Sequence, residues 1–107
     1  MKARPDELPC WVTEIQTGYG KVYMTVTEMD EKPFEVFITI GKSGGAVAAK
    51  GEVIGRLLSI ALRNNIPVQE LIDQMKGIRD DKPTSNGKDM IWSIPDGVAK
   101  ALEKRYG

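Results

Sequence analysis

Three runs of alternating apolar and polar residues, joined by connections of only a few residues, constrain this chain most. In the first, Trp11, Thr13 and Ile15 share one side while Val12, Glu14 and Gln16 take the other. Such a period of two is the signature of a strand with one buried face. Thr17-Gly18-Tyr19-Gly20 follows as a hairpin connection, with glycines able to adopt positive φ. Val22, Met24 and Val26 then alternate with Tyr23, Thr25 and Thr27. The acidic segment Glu28 to Lys32, closed by Pro33, reads as a turn. A third run sets Phe34, Val36, Ile38 and Ile40 against Glu35, Phe37 and Thr39. Strands joined this closely must lie side by side as an antiparallel meander.

At Gly41-Lys42-Ser43-Gly44-Gly45 the period changes. From Ala46 to Arg63 the apolar residues recur at helical spacing, with Val53, Ile54, Leu57, Leu58, Ile60 and Ala61 forming a broad arc. Asn64-Asn65 ends this helix, because asparagine tolerates the left-handed cap position. Pro67 opens a second helix whose apolar face is Val68, Leu71, Ile72 and Met75. Gly77 closes it. Arg79 to Asp89 is a polar loop, Met90-Ile91-Trp92-Ser93 a brief strand, and Pro95 opens a last helix with Val98, Ala101 and Leu102 inward. The expected fold is α+β: a three- to four-stranded antiparallel β-meander covered by a helical hairpin, with a short C-terminal helix. Residues 1–9, with Pro5 and Pro9, read as a flexible leader to one domain over 10–107. With 107 residues the chain is too short for two independent cores.

Composition narrows the function. There is no histidine, and Lys+Arg and Asp+Glu are 15 each. The missing imidazole removes the commonest general base and zinc ligand. Zero net charge argues against capture of DNA by a broadly basic surface. One cysteine, Cys10, makes neither an internal disulfide nor a multi-thiolate metal site, which fits a reducing, cytoplasmic setting. No apolar run reaches the roughly 18–20 residues that cross a bilayer. The expectation is a binding protein, not an enzyme, with no cofactor, no metal and no membrane partner.

Two features offer a binding surface. The glycine-rich turn before the long helix is either a plain strand-to-helix connection or an anion seat built from helix N-terminal amides. Its Gly-Lys-Ser letters are not a P-loop, which needs glycine where Val36 stands. Glu52, Arg56, Ser59 and Arg63 fall on one helical stripe, either a solvated face or a source of guanidinium for phosphate.

Six blocks in order, Thr17-Gly18-Tyr19-Gly20, Pro33-Phe34-Glu35-Val36-Phe37-Ile38, Gly41-Lys42-Ser43-Gly44-Gly45, Ile54 to Arg63, Ile66-Pro67 and Ser93-Ile94-Pro95-Asp96, resemble the TSCPD domain. That domain is found at the C-terminal end of vitamin-B12-dependent ribonucleotide reductases. The resemblance implies a scaffold without the reductase's radical chemistry. Cysteines usual in the domain are replaced by Tyr19, Asp80 and Ile94, so any thiol or metal role of theirs is absent. A free-standing version is similar to the first family of phage Thoeris anti-defence proteins. Those are oligomeric sponges that hold cyclic ADP-ribose-type signals, and in some members cyclic oligonucleotides, without cleaving them. What this likeness implies is a homo-oligomer, a dimer or a trimer of dimers, that sequesters a small cyclic nucleotide in the cytoplasm. Gln16, Thr17, Gly44, Gly45 and Arg56 are the residues expected around one phosphate-bearing ligand, with Arg79 and Asn86 as candidates for a second pocket. The alternative is an accessory or regulatory module of ribonucleotide metabolism.

Overall fold

The computed structural model describes residues 3–41 and 45–107. Strands β1 (Cys10–Thr17), β2 (Gly20–Met29) and β3 (Lys32–Ile40) form one antiparallel sheet in that order. Thr17 lies opposite Gly20 and Trp11 opposite Val26, while Val26 also faces Val36. The inward set is as the alternation requires: Ile15, Val22, Met24, Val26, Phe34 and Val36 are all buried. The second turn is tighter than the Glu28–Lys32 segment suggests. Only Asp30 and Glu31 turn the chain, at φ 55 and 65. Two successive left-handed residues match the right-handed twist of the strands they join. Pro33 therefore falls inside β3, opposite Glu28, where the register shifts between Thr27 and Glu28. An edge strand tolerates proline at such an irregularity because no ladder bond is lost there.

Two polar side chains on the outer face, Thr27 and its cross-strand partner Glu35, are also buried. Glu35 is 5% exposed because Arg4 Nε donates to both its carboxylate oxygens, at 3.0 and 2.9 Å, and Thr27 Oγ1 donates at 3.1 Å. The segment before β1 thus returns onto the sheet.

Helix α1 (Gly45–Arg63) lies on β3. Its closeness is set by what is missing from its underside. A Cβ added at Gly55 would come within 3.0 Å of Val36 O, and one at Gly51 within 3.0 Å of the Ile38 and Ile40 side chains. One turn on, Ser59 Oγ donates to Val36 O at 3.0 Å and accepts from Val36 N at 2.9 Å. At Val36 the helix therefore supplies the pair of hydrogen bonds that a further strand would give this edge. Asn65, at φ 65, ends α1 as expected, with Ile66 N donating to Ala61 O at 3.0 Å.

Helix α2 (Val68–Met75) follows Pro67 and packs chiefly against α3 (Ile94–Tyr106), which runs beside β1. The expected helical cover is thus shared among three helices, with α1 over β3 and α3 next to β1. Leu58, Leu62, Ile72, Ile94, Val98 and Leu102 close the core against the sheet. The brief strand at Met90–Ile91 (β5) pairs with Thr84–Ser85 (β4) in a separate small hairpin, not with the main sheet.

Asp96 ties these parts together. Ser93 Oγ caps α3 by accepting from Asp96 N at 3.1 Å, while Asp96, fully buried, accepts from Gly77 N at 2.7 Å and Trp92 N at 2.9 Å. Lys100 Nζ lies 2.9 Å from its carboxylate. Burial alone would raise its pKa, but the Trp92 and Gly77 amides and Lys100 together hold it below the ordinary 3.8.

Two outcomes are expected. Ser59→Ala leaves Val36 without partners and costs about 1–3 kcal/mol in urea unfolding, with Gly55→Val costing more because backbone must move. A group with a depressed folded pKa stabilises above its unfolded value and loses that contribution as pH falls through the folded one. Melting curves of the wild type taken downward from pH 4 should show this loss, and Asp96→Asn, less stable at pH 7, should lack it.

Candidate functional site

Three segments of the chain meet at one end of the sheet. The β1–β2 turn, the start of α1 and the segment after Arg79 converge there. A Cβ at Gly18 would strike Lys82 O at 1.8 Å, so this glycine exists to let the Asp80–Lys82 backbone press on the turn. Tyr19 projects from the same turn. Lys50 Nζ, from the second turn of α1, stands 5.4 Å from its ring centroid, and Lys82 Nζ stands 5.2 Å from it. Burial and the neighbouring Asp80 and Asp81 carboxylates push the Tyr19 hydroxyl above 10.0. An aromatic ring with two ammonium groups against it offers a stacking surface and phosphate donors together.

Asp80 is itself held in place. Its Oδ1 accepts from Lys82 N at 2.8 Å and its own N donates to Trp92 O at 3.1 Å, while Oδ2 is buried without a partner among the described residues. Arg79 stacks on Trp92, with its guanidinium carbon 4.0 Å from the ring centroid. It is exposed and lies beside the cluster.

The expected site residues divide. Gly44 lies outside the described residues, as do Lys42 and Ser43. Gly45 is the exposed first residue of α1, with open space where a Cβ would stand. Thr17 is at the converging end, but its hydroxyl is committed to the turn: Oγ1 donates to Gly20 O at 2.9 Å and accepts from Tyr19 N at 3.1 Å. Arg56 is elsewhere. It stands about 16 Å along the helix from Gly45, at 1.5 Å per residue. Its guanidinium pairs with Glu52 at 2.9 Å, and the two side chains are 78% and 66% exposed. The helical stripe that joined Glu52 to Arg63 is split by the docking of α1. Ser59 serves the β3 edge, and Arg63 lies over the Phe34 ring at 5.4 Å with a buried Nε that has no partner among the described residues.

Gln16 and Asn86 meet in a different place. Both line a groove of about 900 Å³ between β1, the β4–β5 hairpin and α3. Asn86 Oδ1 shapes the hairpin by accepting from Lys88 N at 3.0 Å and Asp89 N at 2.8 Å. A smaller hollow of about 420 Å³, walled by Phe34, Leu62, Ile66, Pro67 and Tyr106, contains none of the expected residues.

A family model for the TSCPD domain matches residues 1–106. The chain belongs to the TSCPD domain family. No curated protein and no solved structure matches it. Of the three positions at which the resemblance implies replaced cysteines, Tyr19 and Asp80 are neighbours at the converging end, and their side chains interact electrostatically. The third, Ile94, is fully buried at the start of α3. Among the described residues no group of three or more His, Cys, Asp or Glu could hold a metal ion, and no helix is long and apolar enough to cross a membrane.

Sequence reasoning missed Lys50 and Lys82. Nothing marks either as special, because each meets Tyr19 only through the tertiary fold. The Tyr19 environment is open to test. Replacing Asp80 and Asp81 by Asn should move the Tyr19 titration, followed through its ring carbon by NMR, down toward 10.0. An unmoved midpoint contradicts the placement of those carboxylates.

Proposed function

We propose that this TSCPD domain is a non-catalytic binder of a phosphate-bearing nucleotide signal. In this reading it is a phage-type sponge that sequesters a cyclic nucleotide or cyclic ADP-ribose immune signal and so blunts host defence. The observation that carries the reading is the Tyr19 ring with Lys50, from the second turn of α1, and Lys82 both close to it, at 5.4 and 5.2 Å from its centroid. The ring suits a base or ribose face, while the ammonium groups and helix amides suit phosphate oxygens. Arg79 on Trp92 extends the surface. Arg56, turned to solvent, has no part in this seat.

Sequestration needs no acid, base or nucleophile. It needs closure, which a second copy supplies. Val53, Leu57 and Ile60 form an apolar ridge on α1, 54%, 63% and 55% exposed. Spaced as i, i+4 and i+7, they suit helix-to-helix association in a homo-oligomer working in the cytoplasm. The family match also supports a second reading, an accessory module acting on a separately encoded ribonucleotide reductase. Recovery of a reductase subunit on the immobilised domain favours that one.

The test is direct. Protein incubated with a panel of linear and cyclic nucleotides is expected to gain thermal stability with one class, because a ligand bound only by the folded form raises Tm. Heating should then release that ligand intact. Lys50→Ala with Lys82→Ala should weaken binding roughly 10- to 100-fold, the worth of one or two charge-assisted hydrogen bonds, whereas Arg56→Ala leaves it unchanged. Chemically altered ligand contradicts the non-catalytic part, and no uptake of any nucleotide contradicts the whole.

A further inference from the structure

The two edges of the sheet are finished differently. On β3, α1 covers the strand and Ser59 closes the main chain of Val36. On β1 the described residues include no such hydrogen-bonded cover, and β4 lies near this strand without bonding to it. Thr17 and Gly20 flank a two-residue turn, so they exchange both backbone hydrogen bonds, and the alternation of an antiparallel ladder puts Ile15, Thr13 and Trp11 in the same class. Glu28 N donating to Pro9 O at 2.9 Å continues that series. The N–H and C=O groups of Val12, Glu14 and Gln16 therefore point away from β2. Among the described residues no strand, helix or side chain bonds them.

An unpaired edge normally carries some device that prevents further pairing, such as a proline, a bulge or a covering helix. From Trp11 to Thr17 there is no proline, and the pairing with β2 runs without a register shift from Cys10 to Thr17. The edge instead faces the groove of about 900 Å³ whose far wall is α3 and the β4–β5 hairpin. Five of the groove's side chains are basic and three acidic. Lys76 and Lys100 are already held by Glu103 and Asp96, each at 2.9 Å. Lys88 and Lys104 have no acidic partner among the described residues and are exposed.

We propose that the β1 edge and its basic wall receive an extended acidic polypeptide segment as a fourth strand. Main-chain pairing with Val12, Glu14 and Gln16 supplies the attachment, over about 17 Å or five residues. Residues of the incoming strand paired with these three share the outer face of the sheet, beside Val12, which is 60% exposed. The residues between them turn toward α3, where carboxylates meet Lys104 and Lys88. A second copy of this chain fits poorly, because it brings the same basic wall, and a symmetric pairing centred on Glu14 sets two carboxylates opposite each other. Nucleic acid would answer the charge but has no use for a row of alternating amides and carbonyls.

The full chain is titrated with three synthetic peptides. One alternates Glu with Val and Thr, a second replaces each Glu by Lys, and a third is the acidic peptide with alternate backbone amides methylated. The acidic peptide is expected to bind roughly five- to tenfold tighter than the basic one, as two partly exposed charge pairs allow. It should also slow amide exchange at Val12, Glu14 and Gln16. The methylated peptide should not bind, and Lys88→Glu with Lys104→Glu should reverse the charge preference at unchanged Tm. Equal binding of the methylated peptide overturns the strand pairing, leaving charge alone. Exchange at the three residues that slows with protein concentration and no peptide assigns the edge to self-association and overturns the proposal, as does binding that leaves their exchange unaltered.

Discussion

The contact between Ser59 and the main chain of Val36 governs the rest of the structure. A three-stranded sheet has two open edges, and this side chain lets a helix stand in for the missing strand on one of them. It works only because Gly51 and Gly55 precede it at intervals of one turn, leaving no Cβ to hold the helix off. Once α1 is seated at that depth, its rotation is fixed. Leu58 and Leu62 turn to the core, while Val53, Leu57 and Ile60 are turned out. The stability of the sheet edge and the apolar surface of the helix are thus two results of one docking geometry.

A second constraint operates at the other side of the molecule. Asp96 binds the amides of Gly77 and Trp92, so the chain on both sides of the polar loop is tied to the first turn of α3. The loop itself is then free to be long and polar. Its Asp80–Lys82 portion presses on Gly18, bringing Lys82 to Tyr19, while its Asn86–Asp89 portion forms the end of the groove beside β1. A buried carboxylate with every oxygen satisfied thereby positions two surfaces that touch different ligands in the readings above. A similar chain of groups joins the sheet to the end of α3: Trp11 Nε1 donates to Tyr106 Oη, which donates to Glu28. Burial and Glu28 push the Tyr106 hydroxyl up to about 12.

The strands, their inward faces, the Asn65 helix end and the helix after Pro67 were legible because each rests on local periodicity or a residue with restricted φ. The Asp30-Glu31 turn was not, since neither residue carries the asparagine–glycine signal of a left-handed pair. Glu35 sits on the outward phase of β3, and it is held there by Thr27 across the sheet and by Arg4, 31 residues away. The site was legible in part. The turn that carries Tyr19 and the end of β3 stand at one end of the sheet, as strand order alone implies. Arg56 was misplaced because a helical stripe tells which residues share a face but not which way that face turns. The small underside of α1 decided that, and its meaning appears only against β3.

Covering β3 with α1 while leaving the β1 main chain unbonded gives the sheet a direction. A strand added at β1 finds no complementary vacancy on the opposite border, so association of this kind stops after one step. Fibres grow when both borders accept a neighbour. Here lateral growth is terminated by the fold's own helix, and a sticky border is retained at no risk of endless stacking.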